Sequence, residues 1–305
     1  MKAYHEIREL SPYLHEPPAM ASGSPGKRGY LRLGFQRDAQ GRTLLLDWER
    51  HAPLIVQQAL YFDLHLPNMA CLYLLSSGGP HVDGDRFEEE ITLGRDCEVH
   101  LSTGAATLLA RMRHNFAALR REIRLEAGAY LEYLPEPMIP ARESRYHASL
   151  RLVVDPSATL FYSEIFLAGR TAHHDERFAY DLLSSEVILE RPSGERLYRE
   201  KMLITPSSHS PQVRGIMGEW DHFANLLVVA PAPIVEALLR QIKASTGHHE
   251  EEIALGVLQL VNRSGLVIRL LGQRSRPLKE RIRELCSLLR QEVKGVPLQA
   301  EFPWR

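Results

Sequence analysis

The chain has 305 residues, 44% hydrophobic and 25% charged, the composition of an ordinary globular protein of one large or two ordinary domains. With 37 basic and 38 acidic side chains the net charge is -1, so no global basic field exists to hold nucleic acid or an anionic membrane. Cys71, Cys97 and Cys286 form no CxxC pair, which argues against a zinc ribbon or a disulfide framework.

The opening MKAYHEIREL has no apolar core of the kind a secretory signal needs. The most apolar stretch, Ala254 to Leu271, is broken by Asn262, Arg263 and Arg269 and falls short of the roughly 18 apolar residues of a membrane span. A cytoplasmic protein is expected. Residues 1–28, with Pro12, Pro17-Pro18 and a Gly/Ser-rich run, read as a flexible tail. From Tyr30 the pattern changes. Leu31, Leu33 and Phe35 alternate with Arg32 and Gly34, Asp38 to Gly41 signals a turn, and Thr43 to Trp48 resumes apolar character, which predicts a hairpin.

An internal repeat follows. ITLGRDCEVHL from Ile91, IRLEAGAYLEY from Ile123 and LVVDPSATLFY from Leu152 share apolar first and third positions. They also share a turn-forming sixth (Asp96, Gly128, Ser157), a small seventh (Cys97, Ala129, Ala158) and an apolar ninth (Val99, Leu131, Leu160). A looser copy starts at Val187. Strand, tight turn, strand at a near-constant period predicts stacked β units, each burying its face on the next. A plain β-sandwich is the alternative. Residues 105–121 pull two ways: their composition favours helix, while the register of the flanking copies favours strand, turn at His114-Asn115, strand.

The last third differs. Pro233 opens a segment with Ile234, Val235, Leu238, Leu239 and Ile242 on one helical face. Leu255–Leu260 and Leu266–Leu271 form a hairpin-like pair. Leu278, Ile282, Leu285 and Leu289 stripe a second helix that Gly295 ends. The predicted plan is mainly β: repeat-built, β-helix-like stacked sheets in two layers, with a C-terminal α-helical element. Its parts are the tail at 1–28, a β-rich body at 29–206, and a mixed α/β part at 207–305 packed on that body.

No Walker A motif, G-x-G-x-x-G, G-x-S-x-G or H-E-x-x-H occurs. Three polar clusters remain: His81, Asp83 and Asp85 in a Gly-rich turn; His173, His174, Asp175 and Glu176 after Gly169-Arg170; and His248, His249 and Glu250. Imidazole and carboxylate suit Ni, Zn or Mg. The plainer readings are a turn built by Asp and Gly in the first case and solvated loops in the others. Glu132, beside Tyr133, either faces solvent or, if buried, needs a partner or a raised pKa.

Taken in order, several strings resemble the UreD/UreH family of urease accessory proteins. They are Gly29-Tyr30-Leu31-Arg32-Leu33 with Gly41-Arg42-Thr43, Pro53-Leu54-Ile55-Val56-Gln57, and Ser77-Gly78-Gly79 with Gly84-Asp85. Gly104-Ala105-Ala106-Thr107, Leu131-Glu132-Tyr133-Leu134-Pro135, Gly169-Arg170 and Arg269-Leu270-Leu271-Gly272 continue the series. The resemblance spans Gly29 to Arg290. It implies a β-helical stack of two layers, and strands rather than helix at 105–121. It also implies a non-enzymatic chaperone and scaffold for urease maturation. Such a protein binds a UreF-type partner that recruits a UreG-type GTPase, docks on the urease apoenzyme, and helps insert nickel. The alternatives from other classes are a solenoid-type carbohydrate-active enzyme and a metal-free protein-binding module. A nickel conduit needs ligands that release the ion, so transient Ni²⁺ on carboxylates, with no tightly bound cofactor, is expected. Asp85, Glu132, Glu164 and Glu176 are the candidate path. Leu288, off the apolar stripe of the second helix, is the candidate partner contact.

Overall fold

The computed structural model describes residues 3–15, 26–245 and 252–299. Among these, the strands run β1 (Arg28–Arg37), β2 (Thr43–His51), β3 (Leu54–Val56), β4 (Ala70–Ser76), β5 (Arg86–Leu93), β6 (Glu98–Thr103), β7 (Thr107–Leu109) and β8 (Ala117–Leu125). They continue with β9 (Tyr130–Leu134), β10 (Met138–Pro140), β11 (Arg145–Val154), β12 (Thr159–Phe166), β13 (Leu182–Glu190), β14 (Arg196–Ile204) and β15 (His222–Val229). Helix α1 (Ala232–Ser245), strands β16 (Ile253–Gln259) and β17 (Gly265–Gly272), and helix α2 (Ser275–Lys294) complete the chain order.

The strands form two sheets. The first has the order β14-β13-β11-β8-β5-β1-β2, and the second β16-β17-β15-β12-β9-β6-β4-β3, with β7 and β10 beside it. Through the middle the chain alternates between sheets, and equivalent strands pair in parallel. The repeat read from the sequence is the pairing register. Ile91 lies opposite Ile123, and Ile123 opposite Leu152, in the first sheet. Val99 pairs with Leu131, and Leu131 with Leu160, in the second. The looser copy is offset by two residues, Val187 lying opposite Leu150. At the turns, Gly128 is required. Its φ is +70°, and a Cβ there would stand 1.9 Å from an Asp96 carboxylate oxygen of the preceding turn.

The two sheets face each other across a core containing Leu33, Ile91, Val99, Ile123, Leu131, Leu152 and Leu160. A second core, around Leu226, Ile268, Leu238 and Leu285, lies between the second sheet and the helices. This makes three layers, each burying an apolar face on the next. In α2, Leu278, Ile282, Leu285 and Leu289 are fully buried. The helix stops at Gly295, whose left-handed φ of 72° lets its N–H reach Gln291 O.

The expected hairpins, both C-terminal helices and the strand–turn–strand path of 105–121 are present. The structure adds three details. The stacked two-layer body is a pair of sheets with antiparallel strands at their edges, β2, β14, β3 and the β15–β17–β16 group, and not an uninterrupted β-helix. The part after 206 is continuous with the body, since β15 pairs with β12 over Leu160–Phe166 inside the second sheet. The described part of the supposed tail is ordered: Tyr4–Glu6 and Arg8–Tyr13 form 3-10 turns, and Ile7 and Leu10 bury against Phe116, Ala118 and Leu182. Apolar side chains spaced by three were enough to dock that segment on the outside of the first sheet.

Leu131 sits at the centre of the rungs and is fully buried. Replacing it by Ala should cost about 2–5 kcal/mol of stability, read by urea denaturation. Leu46→Ala, at a 64% exposed position of β2, should stay within about 0.5 kcal/mol.

Candidate functional site

Side chains of period 2 split each strand of the second sheet between two faces. Adjacent residues of β9 show the result: Glu132 points toward α2, and Tyr133 points between the sheets. Each face carries a buried polar network.

On the helix side, the Arg290 guanidinium spans the Glu132 carboxylate with two hydrogen bonds, 2.7 and 2.6 Å, and also pairs with Asp63. Glu132 further accepts from the Tyr130 hydroxyl at 2.5 Å and meets His100 Nδ1 at 2.8 Å. His100 and Glu132 are neighbours across β6 and β9, the tenth residues of two consecutive repeats. Burial alone drives the Glu132 carboxyl up, but Arg290 and His100 hold it well below the usual range. Burial keeps His100 below its ordinary value. This is a clamp of α2 onto the second sheet, in which each carboxylate is spent on its partners.

Between the sheets lies a cavity of about 510 Å³. The first sheet contributes Phe87, Glu89, Leu119, Arg121, Tyr146 and Ala148. The second contributes Leu54, Leu74, Thr103, Glu164, Ile165 and Phe166. Exposed Ser77, Gly79, Pro80 and Gly104–Ala106 rim its mouth. Its carboxylates are Glu89, Glu136 and Glu164; Glu136 pairs with Lys279 Nζ at 2.8 Å, and the other two are joined through Arg121 and Tyr162. Arg121 Nε donates to Glu89 at 2.6 Å and Arg121 Nη1 to the Tyr162 hydroxyl at 2.7 Å, which donates to Glu164 at 2.7 Å. The guanidinium also lies 4.6 Å from the Tyr133 ring centroid, and Tyr133 stacks on Tyr162 at 5.2 Å. Burial raises the Glu164 carboxyl above its ordinary value, the Tyr162 hydroxyl and Arg121 acting against that. Glu164 also borders a second cavity of about 20 Å³ shared with Glu200 and Asn225, room for about one water.

Of the four candidate path residues, the structure puts only Glu164 in the wall of the large cavity. Asp85 is a fully buried turn clip: it accepts the Lys27 and Val82 N–H groups at 2.9 Å and pairs with Lys27 Nζ at 3.1 Å. Its neighbour Asp83 accepts from the N–H groups of Arg113, His114 and Asn115. His81 packs edge-on to Phe87, and burial lowers its pKa to about 3. Glu176 is held bidentate by Arg170, 2.8 Å twice, and by the Arg142 N–H. The Arg170 bonds hold its pKa down at about 2. Gly169, at φ +143°, makes room for the Glu176 carbonyl 1.9 Å from where a Cβ would sit. Leu288 is half-buried against the helix-side core. The cluster at His248, His249 and Glu250 lies outside the described residues.

Among the described residues, no three His, Cys, Asp or Glu side chains come together to hold a metal ion. The cysteines are free and buried, and burial pushes the Cys97 thiol up to about 11. No described helix is long and apolar enough to cross a membrane. Sequence reasoning missed Glu89, Arg121, His100 and Arg290. The repeat held a signal for the first two: two residues before each copy stand Glu89, Arg121 and Leu150, which are paired across adjacent strands on the cavity face.

These features define a mainly β, two-sheet protein with a solvent-rimmed amphipathic cavity and helices clamped to one face. A family model described as UreD urease accessory protein matches residues 27–305. Urease accessory protein UreD 3 of Methylorubrum populi is 40% identical over 300 residues, covering 98% of this chain and 96% of that protein. Urease accessory protein UreD 2 of Brucella suis is 39% identical, with 98% and 99% covered. Urease accessory protein UreD of Yersinia enterocolitica is 36% identical, with 97% and 92% covered. The chain belongs to the UreD family of urease accessory proteins, which are assembly factors and not catalysts.

Removing Arg290 strands two buried carboxylates. Arg290→Met should cost about 3–5 kcal/mol, and Glu132→Gln in the same chain should recover part of it, measured by urea titration. Glu176 has a folded pKa below its unfolded one, so its ion pair stabilises at neutral pH. That contribution should fade as pH falls below about 4.5 toward 2. Melting curves of the parent and Glu176→Gln, well separated at pH 7, should converge over that window.

Proposed function

We propose that this chain is a cytoplasmic urease maturation scaffold that binds the urease apoenzyme together with a UreF-type protein and a UreG-type GTPase and passes nickel to the urease active site. Family membership supports the role in urease maturation. The nickel role is supported chiefly by one observation: an inter-sheet cavity that opens at the surface and carries the carboxylates Glu89, Glu136 and Glu164 among mainly apolar walls. Strings that carried the family resemblance, among them Leu54-Ile55, Ser77 with Gly79, and Gly104 to Thr107, supply its rim and wall. Apolar walls hold a cation nowhere, and oxygen donors hold Ni²⁺ only loosely, which suits delivery better than storage.

Within this reading nickel is cargo and no tightly bound cofactor is required. Glu164 is the path residue retained, joined by Glu89. Asp85, Glu132 and Glu176 have structural duties, and their loss would act through folding. Leu288 stays as a proposed contact for the UreF-type partner, its uncovered side being what a partner would meet.

The test is co-expression with UreF-type and UreG-type proteins and urease subunits. Glu164→Gln should leave the complex assembled and lower the nickel content and activity of the urease made. Full nickel loading by both Glu164→Gln and Glu89→Gln assemblies would remove the conduit and leave the scaffold.

A further inference from the structure

Strand alternation turns Glu88, Glu90, Arg120, Glu122 and Arg151 to the outer face of the first sheet, a surface of long charged side chains. At one place the pattern breaks. Ala118 of β8, His147 of β11 and Ser184 of β13 stand side by side on one rung, with Ser149 on the next. The small side chains among them leave a shallow seat, and the N-terminal segment, residues 3–15, fills it. Ile7 and Leu10 enter against Phe116, Ala118 and Leu182. The Tyr4 ring centroid lies 4.9 Å from the Arg86 guanidinium and 4.4 Å from that of Arg120, and the Tyr13 ring lies 4.4 Å from that of Arg145. Glu9 accepts from the Ser184 hydroxyl at 2.7 Å and pairs with Lys201.

These are the contacts of a peptide ligand with its site. No strand of the body pairs with the segment. Two apolar anchors three residues apart, two aromatic rings on guanidinium groups and one carboxylate on an ammonium group do the holding. The link onward is slack. The His15 carbonyl accepts from Asn115 Nδ2 at 2.8 Å, Asn115 Oδ1 accepts from Arg86 Nη2 at 2.7 Å, and the Arg86 N–H bonds Lys27 O. Two residues therefore bridge His15 to Lys27, a gap that residues 16–26 span with a reach of about 35 Å.

We propose that this seat is a docking site for the N-terminal segment of a second copy of the chain, so that two molecules exchange residues 3–15 across the outer faces of their first sheets. An identical segment makes identical contacts, so exchange needs no new complementarity. The slack link lets the segment leave its own body without disturbing β1. A segment on a short linker has an effective concentration on the order of 1 mM. Exchange therefore prevails where copies are concentrated or held together, and the segment seats on its own body elsewhere. The helix layer lies beyond the second sheet, so an exchanged pair keeps the outer surface of α2 turned away from the contact and open to other partners. The inference stands apart from the nickel reading.

The test uses full-length chains with one new thiol each, Glu9→Cys in one and Lys201→Cys in another with a different tag, mixed in glutathione disulfide. Cys71, Cys97 and Cys286 are buried, so a disulfide between the chains reports the segment of one on the seat of the other. A covalent heterodimer should accumulate, faster at higher chain concentration. Leu10→Asp added to the Glu9→Cys chain removes a fully buried anchor and should cut the yield about tenfold or more. A chain carrying both Glu9→Cys and Lys201→Cys should close the disulfide within itself when dilute, which verifies that the substitutions leave the seat intact. Closure within that chain with no heterodimer from the mixed pair at any concentration overturns the proposal, because the segment then serves its own body alone. A heterodimer that forms equally well with Leu10→Asp also overturns it, as chance collision of exposed thiols. So does failure of the doubly substituted chain to close, since the seat would then not hold the segment at all.

Discussion

In-register parallel pairing of equivalent residues is the constraint on which the molecule depends. Ile91, Ile123 and Leu152 are locked side by side in one sheet, and Val99, Leu131 and Leu160 in the other. A slip of one residue would turn every side chain of a strand to the wrong face. Here both faces of the second sheet are buried, so such a slip would drive charge into apolar surroundings on both sides. The turns enforce the same register. Asp96 N–H bonds Ala127 O, Gly128 N–H bonds the Ser157 hydroxyl, and Asp155 N–H bonds Leu125 O. Each turn is thus tied to the next before its strands are counted.

The buried charges follow from that register. Because rungs align, a charged residue at one repeat position lands beside whatever occupies that position one unit later. On the cavity face this sets Glu89 against Arg121; on the helix face it sets His100 against Glu132, with Arg290 reaching in from α2. Such networks are costly to desolvate and contribute little net stability against an apolar alternative. Their better-supported effect is to penalise mispacking, since any arrangement that parts the partners leaves a bare charge inside. The apolar rungs carry the stability, and the polar rungs discriminate among arrangements.

Much of the fold was legible because it is local or periodic. Alternation predicted the β1–β2 hairpin, the repeat predicted the strand register, and the 278–282–285–289 stripe predicted α2. At 105–121 composition and repeat register disagreed and the family resemblance decided for strands; the strands there are a case of tertiary context overriding propensity. What was not legible depends on long-range partners. Arg290 and Glu132 are 158 positions apart, so nothing near either of them advertises the pair. Glu132 read equally as buried or solvated until Arg290 was known. The N-terminal segment was misread because its anchors, Tyr4, Ile7 and Leu10, are too few and too close to Pro12 to show a period. Asp85, Glu132 and Glu176 were chosen for chemistry suited to metal, yet a carboxylate has other uses, and backbone N–H groups and guanidinium took these three.

Strand β9 is a partition only one backbone thick. Glu132, gripped by α2, and Tyr133, under the Arg121 guanidinium, are consecutive residues on its opposite sides. Whatever tugs on the helix therefore reaches Arg121, in the chamber wall, through a single peptide link and one ring contact, with no soft linker on the way to absorb it. The outer surface of α2 and the interior of the chamber are in this sense two ends of one short lever, and neither can be redesigned as if the other were not attached.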